Sequence, residues 1–262
     1  MVNVKDVFDF LNEIAPVRVK DEKDNVGLLV GRSDGSLSKI LVSLDITTDV
    51  ISEAIDKGTE LIVSHHPLFF SLKSITNSDT TGKKALTLIE NGIAAICMHT
   101  NLDAARGGVN DVLAKAAGID TPEPFVQAEK TTEGGFSCGR FGYLKKPLTM
   151  REYLSFLQNA LNANGLRYYD AGRDVSKVSV VGGSGGVELG NAHERGCDTF
   201  ITADIKYHLF LEAKELGINI IDGGHFCTEN VIIPTLADKL RSAFPDVAVI
   251  ISKMNGQTIQ FF

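Results

Sequence analysis

Residues 40–66 read ILVSLDITTDVISEAIDKGTELIVSHH, and residues 178–204 read VSVVGGSGGVELGNAHERGCDTFITAD. With Ile40 set over Val178, an offset of 138, the two stretches align without a gap, and Gly58 meets Gly196. Leu61-Ile62-Val63 falls on Thr199-Phe200-Ile201. Identities are few, but the order of features is shared: an apolar strand, a helical stretch, a stopping glycine and a second apolar strand. That order is a βαβ unit, which implies a parallel strand pair. The match resumes at an offset of 125, where NGIAAICMHT (91–100) lies over LGINIIDGGH (216–225). Self-similarity of this kind indicates an internal repeat. The fold class is therefore α/β, two related α/β halves with mostly parallel sheets. The first half is assigned to residues 1–127 and the second to 128–262, and the 262-residue chain leaves no room for an inserted third domain.

Outward from this stretch the pattern continues. Val4, Val7, Phe8, Leu11 and Ile14 share a helical face within 3–14. Strands are predicted at 39–44, 61–63 and 93–98, and helices at 48–57, 83–91 and 109–117, with Gly58, Gly92 and Gly118 at their ends. The glycine-rich 128–144 segment reads as a turn plus a strand. Thr149 followed by Glu152 has capping-box spacing for a helix over 149–164.

Composition excludes several classes. Lys+Arg 26 against Asp+Glu 33 gives a formal charge of −7, which argues against a default grip on nucleic-acid phosphates. The first ten residues carry Lys5, Asp6 and Asp9 and do not read as a secretory signal. No apolar run approaches the roughly 20 residues of a membrane span. Cys97, Cys138, Cys197 and Cys227 form no CxxC pair, which disfavours a disulfide framework or zinc ribbon and suits a reducing cytoplasm.

The chemistry-bearing residues follow apolar strands: Ser64-His65-His66-Pro67, His99-Thr100-Asn101-Leu102-Asp103, and Asp222-Gly223-Gly224-His225 running to Glu229. Strand ends on one edge of a parallel sheet converge. His65, His66, Asp103, His225 and Glu229 are imidazole and carboxylate donors of the kind that hold zinc, iron, manganese or nickel. Four residues separate His225 from Glu229, so a helix starting near Gly224 puts both on one face. A carboxylate such as Glu229 can bridge two ions that polarise a shared water. Taken singly, a strand-end histidine is more often a hydrogen-bonded structural residue than a ligand, whereas the adjacent His65-His66-Pro67 fits both readings alike.

The motifs VSHHPLFF, HTNLDAARGGVND, TADIKYH, DGGHFCTE and DNVGLLVG resemble the GTP cyclohydrolase 1 type 2 homologue family, related to the NGG-one-interacting-factor-three proteins. That resemblance implies a dinuclear centre between the halves, two divalent ions per subunit, with His65, His66, Asp103, His225 and Glu229 as ligands and Glu229 bridging. It also implies a toroidal homohexamer and, from the family name, hydrolytic attack on the guanine ring of GTP.

The expected function is a cytoplasmic dinuclear-metal hydrolase acting on a small nucleotide or phosphate-containing molecule. The alternative is a regulatory or metallochaperone protein with a structural or sensory metal site and protein partners. Glu229, His99 and His208 are the candidate catalytic residues, the two histidines fitting proton transfer or ligand orientation alike. Lys206 is a candidate anion contact. Asp45, Asp204 and Asn25 are candidate acceptors behind the ligands, while Asp24, Asn25 and Gly27 equally fit a turn. Gly182-Gly183-Ser184-Gly185-Gly186 matches a nucleophile elbow, G-x-S-x-G, but also a tight turn or an amide cradle for phosphate. The phenylalanines at 69, 70, 125, 136, 141 and 226 read as core or subunit contacts, with Phe226, beside a ligand, the one most open to another role.

Overall fold

The computed structural model describes residues 1–125 and 138–262. Before the intervening segment the chain runs α1 (Val4–Ile14), β1 (Gly27–Val30), β2 (Lys39–Ser43), α2 (Thr48–Asp56), β3 (Leu61–Ser64), α3 (Thr80–Glu90), β4 (Ala94–Cys97), α4 (Thr100–Ala104), α5 (Val109–Ala116) and β5 (Glu123–Pro124). After it come β6 (Arg140–Leu148), α6 (Met150–Ala160), β7 (Arg167–Tyr169), β8 (Val175–Val180), α7 (Leu189–Glu194), β9 (Thr199–Thr202), α8 (Tyr207–Leu216), β10 (Asn219–Asp222), α9 (His225–Glu229), α10 (Ile232–Ala243) and β11 (Ala248–Ile251). The expected strand of the glycine-rich segment is β6; residues 126–137 of that segment lie outside the described residues.

Two compact units result, Met1–Ala105 with Ile233–Gly256, and Arg106–Ile232 with Gln257–Phe262. The first holds a sheet of order β1-β4-β3-β2-β11, in which β4, β3, β2 and β11 are parallel and β1 is antiparallel to β4. The second holds β5-β6-β8-β9-β10-β7, with β8, β9 and β10 parallel and antiparallel pairs at either side. Each sheet is parallel at its centre. The repeat supplies those central strands, β2-β3-β4 in one unit and β8-β9-β10 in the other.

Hydrogen bonds carry the repeat further than the identities do. The Glu60 carboxylate accepts from the amides of Ser38 and Lys39, at 3.3 and 2.9 Å. At an offset of 138, Asp198 accepts from the amides of Ser176 and Lys177, at 3.0 and 2.7 Å. Lys39 Nζ donates to the Lys57 carbonyl, and Lys177 Nζ to that of Arg195. Met98 N donates to Ser64 O at 2.9 Å, and Gly223 N to Thr202 O at 2.8 Å. These bonds tie each βαβ crossover at both ends and set where the following loops leave the sheet.

Local signals explain the helix starts. Thr149 and Glu152 form the expected capping box of α6, and Asn3 with Asp6 forms another for α1. The helix expected at 83–91 starts earlier, at Thr80, because Asp79 caps it by accepting from Gly82 N at 2.8 Å. Gly58 and Gly196 have φ +61° and +68°, the left-handed conformation that ends these helices without a Cβ penalty. In the first unit Leu41, Ile62, Val50, Ala54, Leu88 and Ala95 pack together in a buried core. In the second, Val178, Ile201, Ile221, Tyr153 and Leu157 form another. β11, the C-terminal strand, pairs with β2 and so completes the first unit rather than the second.

Candidate metal centre

In the first unit three strand ends bring imidazoles together. His65 and His66 leave the end of β3, and His99 leaves β4 one residue before α4. Their ring centroids lie 5.0, 5.2 and 5.6 Å apart. One nitrogen from each of His65, His66 and His99 falls within 4.8 Å of the others. Asp103 follows on α4, its Oδ1 3.6 Å from His65 Nε2.

What stands behind each ring fixes the nitrogen it offers. His65 Nδ1 is 2.9 Å from the Met98 carbonyl oxygen, which can only accept, so Nδ1 carries the proton. His66 Nδ1 is 2.8 Å from Asp45 Oδ1, and His99 Nδ1 lies 3.0 and 2.9 Å from the two oxygens of Asp24. Burial would raise the Asp24 carboxyl, but hydrogen bonds from His99 and Thr100 outweigh it and hold the group well below the usual carboxylate range. Ionised Asp24 is thus an acceptor for the Nδ1 proton of His99, the usual arrangement behind a metal-bound histidine. Burial pushes the Cys97 thiol up, and its Sγ donates to the His65 carbonyl at 3.0 Å, so the donor set here is nitrogen and oxygen rather than thiolate.

The second unit builds a related group. α9 begins at His225, as α4 begins at Thr100, again at an offset of 125. His225 Nε2 is 3.1 Å from Glu229 Oε2 across one turn, and its Nδ1 is 2.7 Å from Asp204 Oδ2. The hydrogen bond to Glu229, opposed by burial and aided by Asp204, raises the His225 pKa to about 9. An ion at Nε2 must displace that proton, so uptake here is linked to pH. Asp204 sits at φ +53° after β9. Asp222 holds this region from below, accepting from Gly224 N at 3.0 Å and Ile205 N at 3.1 Å, and pairing with Arg167.

The glycine loop after β8 serves Glu229. Gly183 has φ +63°, and a Cβ there would lie 2.1 Å from Glu229 Oε1 and 3.2 Å from His225 Nε2. Its amide donates to Thr228 Oγ1 at 3.1 Å, that of Gly182 to Asn110 Oδ1 at 2.9 Å, and that of Gly185 to Thr202 Oγ1 at 2.8 Å. With these amides spent inside the fold and only a short 3-10 turn following, the loop is a close-approach turn rather than an amide cradle.

Matching the full length of this architecture are several known proteins. The family model described as Duf34/NIF3 (NGG1p interacting factor 3) matches residues 2–257. The chain belongs to the Duf34/NIF3 family. It is 36% identical over 263 residues, 99% of this chain and 100% of the relative, to the GTP cyclohydrolase 1 type 2 homolog of Clostridium perfringens. A Clostridium acetobutylicum protein of the same name is 34% identical over 95% of this chain and 93% of its own. Among solved structures, the Staphylococcus aureus hypothetical protein SA1388 superposes with a TM-score of 0.89 at 28% identity, covering 99% of both chains. Reduced HcgD from Methanocaldococcus jannaschii gives 0.82 at 26% identity, covering 97% of this chain and 98% of its own.

Against the expectations for this Duf34/NIF3 chain, His65, His66 and Asp103 meet in one unit and His225 and Glu229 in the other. His99, expected as an orienting or proton-transfer group, stands among the imidazoles themselves. His208 and Lys206 are exposed at the start of α8, and His208 joins none of the ligand clusters found among the described residues. Asp45 and Asp204 lie against the Nδ1 atoms of the candidate ligands His66 and His225. Asn25 does not: its Nδ2 donates to the Phe69 carbonyl at 2.9 Å. Asp24 is the residue sequence reasoning undervalued, since its partner His99 lies far along the chain and only an acidic residue in DNVGLLVG hinted at it. Phe226 packs against the core of the second unit.

Proposed function

We propose that the chain is a metal-dependent hydrolase in which His65, His66 and Asp103 of one unit and His225 and Glu229 of the other would hold two divalent ions per chain. The observation that carries this reading is the oxygen placed at Nδ1 of each ring. His65, His66, His99 and His225 each have Nδ1 against a protein oxygen, which makes Nε2 the nitrogen that would face an ion. Four rings poised in this way by four separate acceptors are a metal-ligand pattern. Bound divalent ions supply Lewis acidity, polarising a substrate oxygen and lowering the pKa of water to about 7.

The chain's own groups do the rest. Asp45, Asp204 and the Met98 carbonyl orient the ligating rings, and the Gly183 turn leaves room for the Glu229 carboxylate. His99, backed by ionised Asp24, and Glu229 take the proton-transfer roles. The substrate class follows from the relatives' names, GTP cyclohydrolase 1 type 2 homolog, and is a nucleotide or other phosphate-containing small molecule. Self-association into a toroidal homohexamer belongs to the same reading and rests on the family resemblance, and a cytoplasmic setting rests on four cysteines with no CxxC pair.

Elemental analysis is expected to give about two ions per chain, lost in His65→Ala and Glu229→Ala. Full occupancy in both variants would overturn the ligand assignment. A screen of protein reconstituted with zinc, iron, manganese or nickel against GTP, other nucleotides and phosphoesters is expected to show turnover that Glu229→Ala abolishes. Absence of metal-dependent turnover on every substrate would instead favour a regulatory or metallochaperone role.

A further inference from the structure

Phe70 is an aromatic ring left outside. It is 63% exposed, and its centroid lies 5.8 Å from that of His99, which in turn neighbours His65 and His66. The backbone carrying it is anchored on its N-terminal side. Leu68 is buried and Phe69 packs on the core of the first unit. The Phe69 carbonyl accepts from Asn25 Nδ2 at 2.9 Å. Pro67 further restricts the path between His66 and this anchor. The ring is therefore held at the imidazole cluster while much of its surface faces solvent.

Scattered exposed apolar side chains need no explanation, but this one contacts His99, whose ring neighbours the proposed ligands His65 and His66. A molecule reacting at the Nε2 atoms places its adjoining atoms within reach of Phe70. Phenylalanine offers a flat π-face and neither donor nor acceptor, so it selects a planar ring without reading that ring's edge.

We infer that Phe70 is the ring-recognition residue of this site, stacking on a planar heteroaromatic ring of the substrate. The inference rests on the metal-hydrolase reading and narrows its substrate class to nucleobase-bearing or similarly flat molecules. Asn25 acts through the Phe69 carbonyl as a positioning residue for it.

The test compares equilibrium binding of GTP and of inorganic tripolyphosphate to the metal-reconstituted full chain, by titration calorimetry, with metal content measured alongside. Wild-type protein is expected to bind GTP more tightly than tripolyphosphate. Phe70→Leu, which keeps apolar volume but removes the ring, should weaken GTP about 5- to 150-fold, the range of base–aromatic stacking. It should leave tripolyphosphate affinity and metal content unchanged. Phe70→Tyr, which keeps the ring, should stay within about twofold of wild type, given that stacking on Tyr and Phe is similar. The inference is overturned if Phe70→Leu binds GTP as wild type does, if it weakens both ligands equally, or if wild type shows no preference for GTP. These readouts are of binding. Ring-dependent binding without turnover would refute the hydrolase reading alone, whereas metal-dependent turnover indifferent to Phe70→Leu would refute the stacking role alone.

Discussion

Gly183→Ala isolates the link between a backbone turn and a metal ligand. Gly183 and Gly196 share nearly the same backbone, φ +63° and +68°, so an alanine at either bears the left-handed penalty of about 1–2 kcal/mol. At Gly196 nothing lies within 4 Å of the new methyl group, and the penalty stands alone. At Gly183 the methyl would sit 2.1 Å from Glu229 Oε1, 3.0 Å from Glu229 Cδ and 3.2 Å from His225 Nε2. Ordinary contact needs about 3.5 Å, so the carboxylate must move by more than about 1 Å. If Glu229 holds its place, overpacking adds about 1–3 kcal/mol, bringing the total to roughly 2–5 kcal/mol. If Glu229 swings away instead, stability falls only as far as in Gly196→Ala, but the carboxylate leaves the ligand set and metal is lost. Urea denaturation and elemental analysis of both variants separate these routes. The reasoning is refuted if Gly183→Ala matches Gly196→Ala in stability and also keeps wild-type metal content.

Other expectations follow from the same geometry. The raised pKa of His225, about 9, means that its ion pair stabilises the metal-free protein fully below the ordinary histidine pKa of about 6.5. That contribution disappears as pH rises through about 9, so a thermal-denaturation series on metal-free protein should show it and His225→Asn should flatten it. Metal affinity should run the other way, weakening as pH falls below about 9 because the proton on Nε2 competes. Asp204→Asn and Asp45→Asn should each weaken metal binding about 10- to 100-fold without unfolding the chain, read by competition with a chelating dye. Glu53 accepts from Ser252 Oγ and from the amides of Lys253 and Met254, so Glu53→Ala should cost roughly 1–3 kcal/mol in urea denaturation. Glu60→Ala and Asp198→Ala, equivalent in the repeat, should each speed amide exchange in their own unit's sheet and leave the other's unchanged.

Periodicity, glycine stops and donor chemistry are local properties, and they are legible in the order of residues alone. A strand such as Leu61–Ser64 is marked by its unbroken apolar run, a helix end by a glycine at positive φ, and a ligand by being an imidazole or carboxylate at a strand end. The repeat followed from the same signals, because two βαβ units with the same crossover length bear the same punctuation. Tertiary structure decided the rest, since it depends on which distant residues meet. Asp24 reaches His99 across 75 positions and fixes its tautomer, which no spacing rule connects. β11 returns to pair with β2 because a parallel edge remained open in the first sheet, so the units do not follow a single cut in the chain. In sequence the glycine-rich loop fits a turn or a phosphate cradle better than a nucleophile elbow, and the fold favours the turn, its amides bonded to Asn110, Thr202 and Thr228 and Glu229 filling the space a side chain would take. Residue types are written in the chain, but the acceptor behind each ring and the room beside each carboxylate exist only once the chain has folded.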